Sequence, residues 1–161
     1  MTTKKKIIYY LCVLLFLSLI SCERTQYLIN DNKIIENEMW TVDNQLPFYF
    51  SISDTQKIYE IGFDIRYTSD YPKQNMYVFL HTIFPNGMRT HDTISVDLFS
   101  PMGEPFGKGK RVKELQQSFS YVKFYMEGDY TMTIEQAMRM DTLPGVVSFG
   151  LYITEPTNLN E

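Results

Sequence analysis

From residue 40 onward, apolar side chains recur at every second position, a period that confines most of the chain to extended strands. The cleanest stretch is residues 60–67. Ile61, Phe63, Ile65 and Tyr67 fall on one face, and Glu60, Gly62, Asp64 and Arg66 on the other. Such a strand has a dry side and a wet side, as in an antiparallel sheet packed on one face. Leu46, Phe48, Phe50 and Ile52 alternate in the same way with Pro47, Tyr49, Ser51 and Ser53. Residues 76–84 are apolar on both faces and suit a central strand. Phe84-Pro85-Asn86-Gly87-Met88 then supplies an Asn-Gly turn, and a return strand runs over residues 89–99. After a Gly-, Pro- and Lys-rich loop at 100–113, strand-like runs cover 119–126, 130–134 and 146–154. The single helical candidate is 134–139, about a turn and a half. Roughly eight strands with turns at these intervals specify an all-β chain, an antiparallel β-sandwich of Greek-key or jelly-roll type. The alternation leaves the strand order open.

Composition agrees with a folded domain and removes some functions. Apolar residues make up 44% and charged residues 21%, outside the disordered range. A net charge of −4 excludes a nucleic-acid binder that works by bulk charge. The chain has only two cysteines, Cys12 and Cys22, too few for a disulfide scaffold.

Both cysteines belong to the amino-terminal segment. Lys4, Lys5 and Lys6 precede residues 7–20, which carry no charge. That is the length of a signal-peptide core and falls short of the roughly 20 residues needed to span a bilayer. The segment ends in Leu19-Ile20-Ser21-Cys22, which resembles the lipobox of bacterial lipoproteins. There a small residue before the cut lets the peptidase approach the backbone. The cysteine thiol then takes a diacylglycerol, and palmitate-type chains complete the anchor. The expected organisation is a signal peptide at 1–21, a lipidated tether at 22–39 that becomes an edge element, and a β-sandwich domain at 40–161. Removing three lysines with the signal leaves 12 Lys plus Arg against 19 acids, a net charge of −7. Without Cys12, and with the Cys22 sulfur acylated, the mature domain has no free thiol. Two or more acyl chains hold a protein stably on a membrane. Glu23 follows the cysteine where aspartate would signal inner-membrane retention in some bacteria. The expected address is therefore the outer membrane, with the domain facing the periplasm.

No motif in the mature chain specifies catalysis. If Asn86-Gly87 is a two-residue turn, His81 lies opposite Asp92 and His91 opposite Thr82, on different faces of the sheet. The histidines then share no metal ion, and with no thiol and no third imidazole the expectation is no metal and no cofactor. A His81–Asp92 base pair lacks an adjacent nucleophile, so a polar cross-strand pair is the better reading. Gly103 to Gly109 is not a phosphate loop, because three residues rather than four separate Gly103 from Gly107 and Gly109 follows Lys108. A flexible inter-strand loop is expected. Its Lys108, Lys110, Arg111 and Lys113 form the one local basic cluster, a candidate docking patch for an acidic partner or lipid headgroups. Asp64 and Asp70 do not pair as glycosidase carboxylates would, since Asp70-Tyr71-Pro72 reads as a turn. Trp40, Tyr49, Tyr59 and Tyr67 could build a sugar-stacking platform, the basis of an alternative glycan-binding role, although alternating aromatics more often face a core.

The chain also resembles the GldH family of gliding-motility lipoproteins. The similarity runs through Trp40, the Asp70-Tyr71-Pro72 turn and the Phe84-Pro85-Asn86-Gly87 hairpin. It continues through the segment from Tyr130 to Arg139, with Gln136-Ala137-Met138-Arg139 its most specific part, and through Leu143-Pro144-Gly145. Phe149-Gly150-Leu151 fills the place of the family's last strand, with Phe where Val is frequent. The resemblance covers about residues 1–154. It implies an outer-membrane-linked lipoprotein that accompanies the gliding and type IX secretion machinery, acts through envelope proteins and is not an enzyme. No catalytic residues come with it.

Overall fold

The computed structural model of the protein describes residues 27–156, so the lipobox Leu19, Ile20, Ser21 and Cys22 lies outside the described residues. Ten strands follow one another: β1 (Tyr27–Ile34), β2 (Met39–Thr41), β3 (Leu46–Ile52), β4 (Tyr59–Tyr67), β5 (Asn75–Ile83), β6 (Arg89–Asp97), β7 (Lys113–Val122), β8 (Gly128–Gln136), β9 (Thr142–Pro144) and β10 (Val146–Thr154). One 3₁₀ turn, Glu36–Glu38, links β1 to β2, and the described residues contain no α-helix.

The eight long strands form two antiparallel sheets, ordered β1-β10-β4-β7 and β3-β8-β5-β6, while β2 and β9 pair separately. Counting only the long strands from one to eight, the orders are 1-8-3-6 and 2-7-4-5. That is the double Greek key of a jelly roll. Only one connection between successive long strands, the β5–β6 hairpin, stays within a sheet, and every other one crosses between them. Between the sheets lies a single core. In β3, Leu46, Phe48, Phe50 and Ile52 are buried, and in β4 so are Tyr59, Ile61, Phe63, Ile65 and Tyr67. β10, the most enclosed strand, buries alternate residues on one face and Ser148, Gly150, Tyr152 and Thr154 on the other. Phe149 of β10 packs its ring 4.9 Å from Phe63 in its own sheet and 5.1 Å from Trp40 of the small β2-β9 pair.

Three local expectations are corrected. The helical candidate at 134–139 is strand as far as Gln136 and a bend beyond it. β8 continues to Gln136, which pairs with Val78 of β5, because sheet pairing outweighs a short helical propensity. Likewise β7 begins at Lys113 rather than Phe119, since its polar first half is an edge that needs only β4 as partner. The edge element foreseen in the amino-terminal segment is β1, which pairs along its length with β10.

The third correction concerns the β5–β6 hairpin. Phe84 N–H donates to Met88 O and Gly87 N–H to Phe84 O, so three residues, Pro85 to Gly87, make the loop. Gly87 sits at φ 82°, the left-handed position that ends such a three-residue turn. One extra loop residue shifts the register by one. His81 faces His91 and Leu80 faces Asp92.

Candidate functional site

Three regions carry the side chains that bear on function. The first is the loop between β6 and β7. It is pinned rather than loose: Tyr67 Oη donates to Leu98 O at 2.6 Å and accepts from Gly107 N–H at 3.0 Å, and Lys108 and Glu114 exchange backbone bonds. Of the four cations expected as a docking patch, two are already engaged. Arg111 pairs with Glu38 at 2.7 Å, which holds the Glu38 carboxyl below its usual range. Glu38 itself has φ 58°, an uncommon backbone for a side-chain-bearing residue. Lys113 Nζ donates to Gly109 O at 2.6 Å. Lys108 and Lys110 are exposed. Met102 and Phe106 stand exposed beside them.

The second region lies on the outer face of the β3-β8-β5-β6 sheet. The corrected register brings together histidines that a two-residue turn would have separated. His81 Nδ1 lies 2.9 Å from His91 Nδ1, and His81 Nε2 lies 2.8 Å from Glu135 Oε1. Gln45 Nε2 donates to the other Glu135 oxygen at 2.7 Å. Burial alone would push the Glu135 carboxyl up. Hydrogen bonds from His81 and Gln45, with the charge of both histidines, outweigh it and hold the group below its usual range. Phe79 stacks against the pair, 4.8 Å from the His91 ring. Among the described residues no three His, Cys, Asp or Glu side chains are placed to hold a metal ion. Asp92, the expected partner of His81, points instead toward the space between the sheets.

The third region is one the sequence did not indicate. Where the edge strands β6 and β7 diverge, a cleft of about 600 Å³ opens into the sandwich. Leu80, Ile94, Phe119, Val122, Phe124 and Met132 form much of its wall. β6 is exposed on both faces over its first five residues, which leaves this side of the core uncovered. Period-two alternation continues through Thr90, Asp92, Ile94 and Val96, and the polarity of the first two was the signal of an unclosed edge.

The remaining candidates are dispersed. Trp40, Tyr59 and Tyr67 are buried, and Trp40 Nε1 donates to Asn44 O at 2.8 Å. Of the four aromatics proposed as a sugar platform, only Tyr49 is exposed, so that platform does not form. Asp64 lies on the outer face of the β4 sheet, near Asn32, while Asp70 is in the β4–β5 loop and His81 is on the other sheet. They share no cleft.

The model for the GldH lipoprotein family matches residues 27–153, nearly all of the described chain. This chain belongs to the GldH lipoprotein family. A gliding-motility lipoprotein GldH homologue of Christiangramia forsetii is 31% identical over 128 residues, 74% of this chain and 79% of that protein. The gliding-motility lipoprotein GldH of Flavobacterium johnsoniae is 24% identical over 146 residues, covering 85% and 89% of the two chains. Among solved structures, dimeric latent PorU of Porphyromonas gingivalis aligns at TM-score 0.31 and 10% identity, over 84% of this chain and 14% of that one. Infectious bursal disease virus aligns at TM-score 0.32 and 10% identity, over 86% and 36%. Neither likeness is close enough to carry argument. Membership of the family makes this a membrane-anchored lipoprotein with relatives in gliding motility.

Proposed function

We propose that the protein is acylated on Cys22, held in the outer membrane with its domain in the periplasm, and supports the gliding and type IX secretion machinery through protein–protein contacts, without catalysis. The observation that carries this reading is the lipobox placed five residues before the first strand of a family-matched domain. A sandwich that starts so soon after its anchor is held close to the bilayer, where envelope machinery lies. The exposed Lys108 and Lys110 beside Met102 and Phe106 offer a partner both charge and apolar contact.

The test is complementation of a deletion strain of a gliding-competent relative. Wild-type protein restores spreading and secretion of type IX cargo. Cys22→Ser, which removes the acceptor sulfur, leaves the protein out of the outer-membrane fraction and restores neither. A deletion strain that glides and secretes normally would overturn the proposal. Lys108→Glu with Lys110→Glu then asks whether the loop is the contact, with fractionation unchanged and spreading reduced.

A further inference from the structure

The jelly roll has two ends, and the chain enters at one of them. Tyr27, the first residue of β1, pairs with Thr154, Thr154 with Glu60, and Glu60 with Tyr121. The β3–β4 connection, the β5–β6 hairpin and the β7–β8 connection lie at this same end. The β6–β7 loop with Lys108 and Lys110 lies at the other, next to the Tyr67↔Lys113 pair.

This entry end exposes a set of apolar side chains. Tyr125, 86% exposed, and Met88, 49%, line the mouth of the cleft, Tyr121, 58%, and Ile58, 43%, stand on the neighbouring ends of β7 and β4, and Tyr27 and Leu28 lie at the far edge of that sheet on β1. Exposed tyrosines with an apolar body and a polar tip suit the boundary between headgroups and acyl chains. Charge is not what attracts this end to a surface. Asp54, Glu127, Asp129 and Glu155 outnumber Lys57, Arg89 and Lys123, and Lys57 is paired with Glu155 at 2.5 Å.

Chain length decides the orientation. Five residues from Cys22 to Tyr27 span at most about 18 Å even when fully extended. The rows of Tyr27 and Lys113 are seven residues apart along the strands, roughly 23 Å at strand rise, and the basic loop lies beyond the second row. An upright domain anchored through Cys22 therefore cannot turn its basic loop onto its own bilayer. It can set its entry end there.

We propose that the entry end, with Tyr125 and Met88 at the mouth of the β6–β7 cleft and Tyr121 and Ile58 on the adjoining strand ends, docks on the bilayer that holds the anchor, and that the bilayer covers the mouth of the cleft. The inference rests on acylation of Cys22. It also assigns the basic loop: Lys108 and Lys110 face away from the membrane, toward an acidic protein surface rather than headgroups.

The experiment uses the full acylated protein in phosphatidylethanolamine vesicles whose acyl chains carry bromine, a short-range quencher of tryptophan. Tyr125→Trp and, as a second reporter, Tyr121→Trp are compared with Phe106→Trp in the far loop and with wild type, whose Trp40 is buried. The emission added by an indole at position 125 or 121 falls about twofold or more on moving from plain to brominated lipid, as for an interfacial aromatic. The emission of Trp40, and that added by the Phe106→Trp variant, does not change. The quenching persists in high salt and in vesicles without anionic lipid, because the contact is apolar. Quenching in the Phe106→Trp variant as well as in Tyr125→Trp means a domain lying flat, and quenching in Phe106→Trp alone means an inverted one. Either result overturns the inference, as does quenching in none of the variants. Mass spectrometry of the amino-terminal fragment is read first. An unacylated Cys22 overturns the proposed function, whereas an acylated protein whose Tyr125→Trp and Tyr121→Trp variants stay unquenched overturns the docking alone.

Discussion

The two long edges of the sandwich are built differently. On one, β1 and β3 come together, and the Lys33 side chain crosses between the sheets so that Nζ sits 5.4 Å from the Phe48 ring centroid. On the other, β6 and β7 diverge around the cleft, and β6 presents Thr90 and Asp92 where β3, the other edge strand of its sheet, buries Leu46, Phe48, Phe50 and Ile52. The closed edge holds the fold together beside the point where the chain enters. The open edge gives up burial and exposes part of the apolar wall of the core.

Phe149 and Phe119 test that contrast most sharply. Both touch Phe63, at ring distances of 4.9 and 4.3 Å, yet Phe149 is fully buried in β10 and Phe119 lines the cleft. Phe149→Ala should cost about 3–5 kcal/mol in urea or thermal unfolding, the range for truncating an enclosed aromatic. Phe119→Ala should cost clearly less, about 2 kcal/mol, because one wall of its site already meets solvent. Equal losses would mean that the cleft is closed in solution and that the edges are alike.

How much of this contrast could be seen beforehand depends on which interactions are local. The buried faces of β3 and β4 follow residue by residue from alternation, and the sandwich class follows from their number. Strand order does not, because the pairing of β1 with β10 joins segments more than a hundred residues apart, and no local pattern encodes it. The histidine cluster was missed for a smaller reason. Asn86-Gly87 marks a tight turn but does not say whether Pro85 lies in the loop, and that single residue decides which face His91 occupies. The cleft was missed because it comes from the divergence of two edges in space. The lipobox-like motif at Leu19 to Cys22 is, by contrast, an entirely local pattern, and it lies outside the described residues.

A smaller effect separates the edges at their polar groups. Lys33→Ala removes the stem and charge that lie over Phe48, and should destabilise by about 0.5–1 kcal/mol, the worth of an exposed cation–π contact. Thr90→Ile at the mouth of the cleft adds apolar surface where space is already open. It should leave stability unchanged or raise it by up to about 1 kcal/mol. A loss at Thr90 equal to that at Lys33 would show that β6 is packed more tightly than its exposure indicates.

The smallest expected effect is electrostatic and belongs to neither edge, which makes it a control on both. Glu135 projects from the outer face of β8, an inner strand one place from the β3 edge and two from the β6 edge, and is held below the ordinary carboxyl value of 4.5 despite partial burial, by His81, Gln45 and the charge of His91. A carboxyl whose folded value is depressed contributes stability that is fully present above its unfolded value and is lost as pH falls through the folded one. Acidification below about 4.5 should therefore remove this contribution, whereas raising pH from neutral should not touch it through Glu135. Because the group is partly exposed, the contribution stays below about 1 kcal/mol. Glu135→Gln keeps the shape of the side chain while abolishing its titration, so its unfolding midpoint should lie slightly below that of wild type at pH 7 and draw level with it in acid. A gap that widens in acid would assign the pH dependence to another carboxylate and leave Glu135 with a purely steric role between the histidine pair and Gln45.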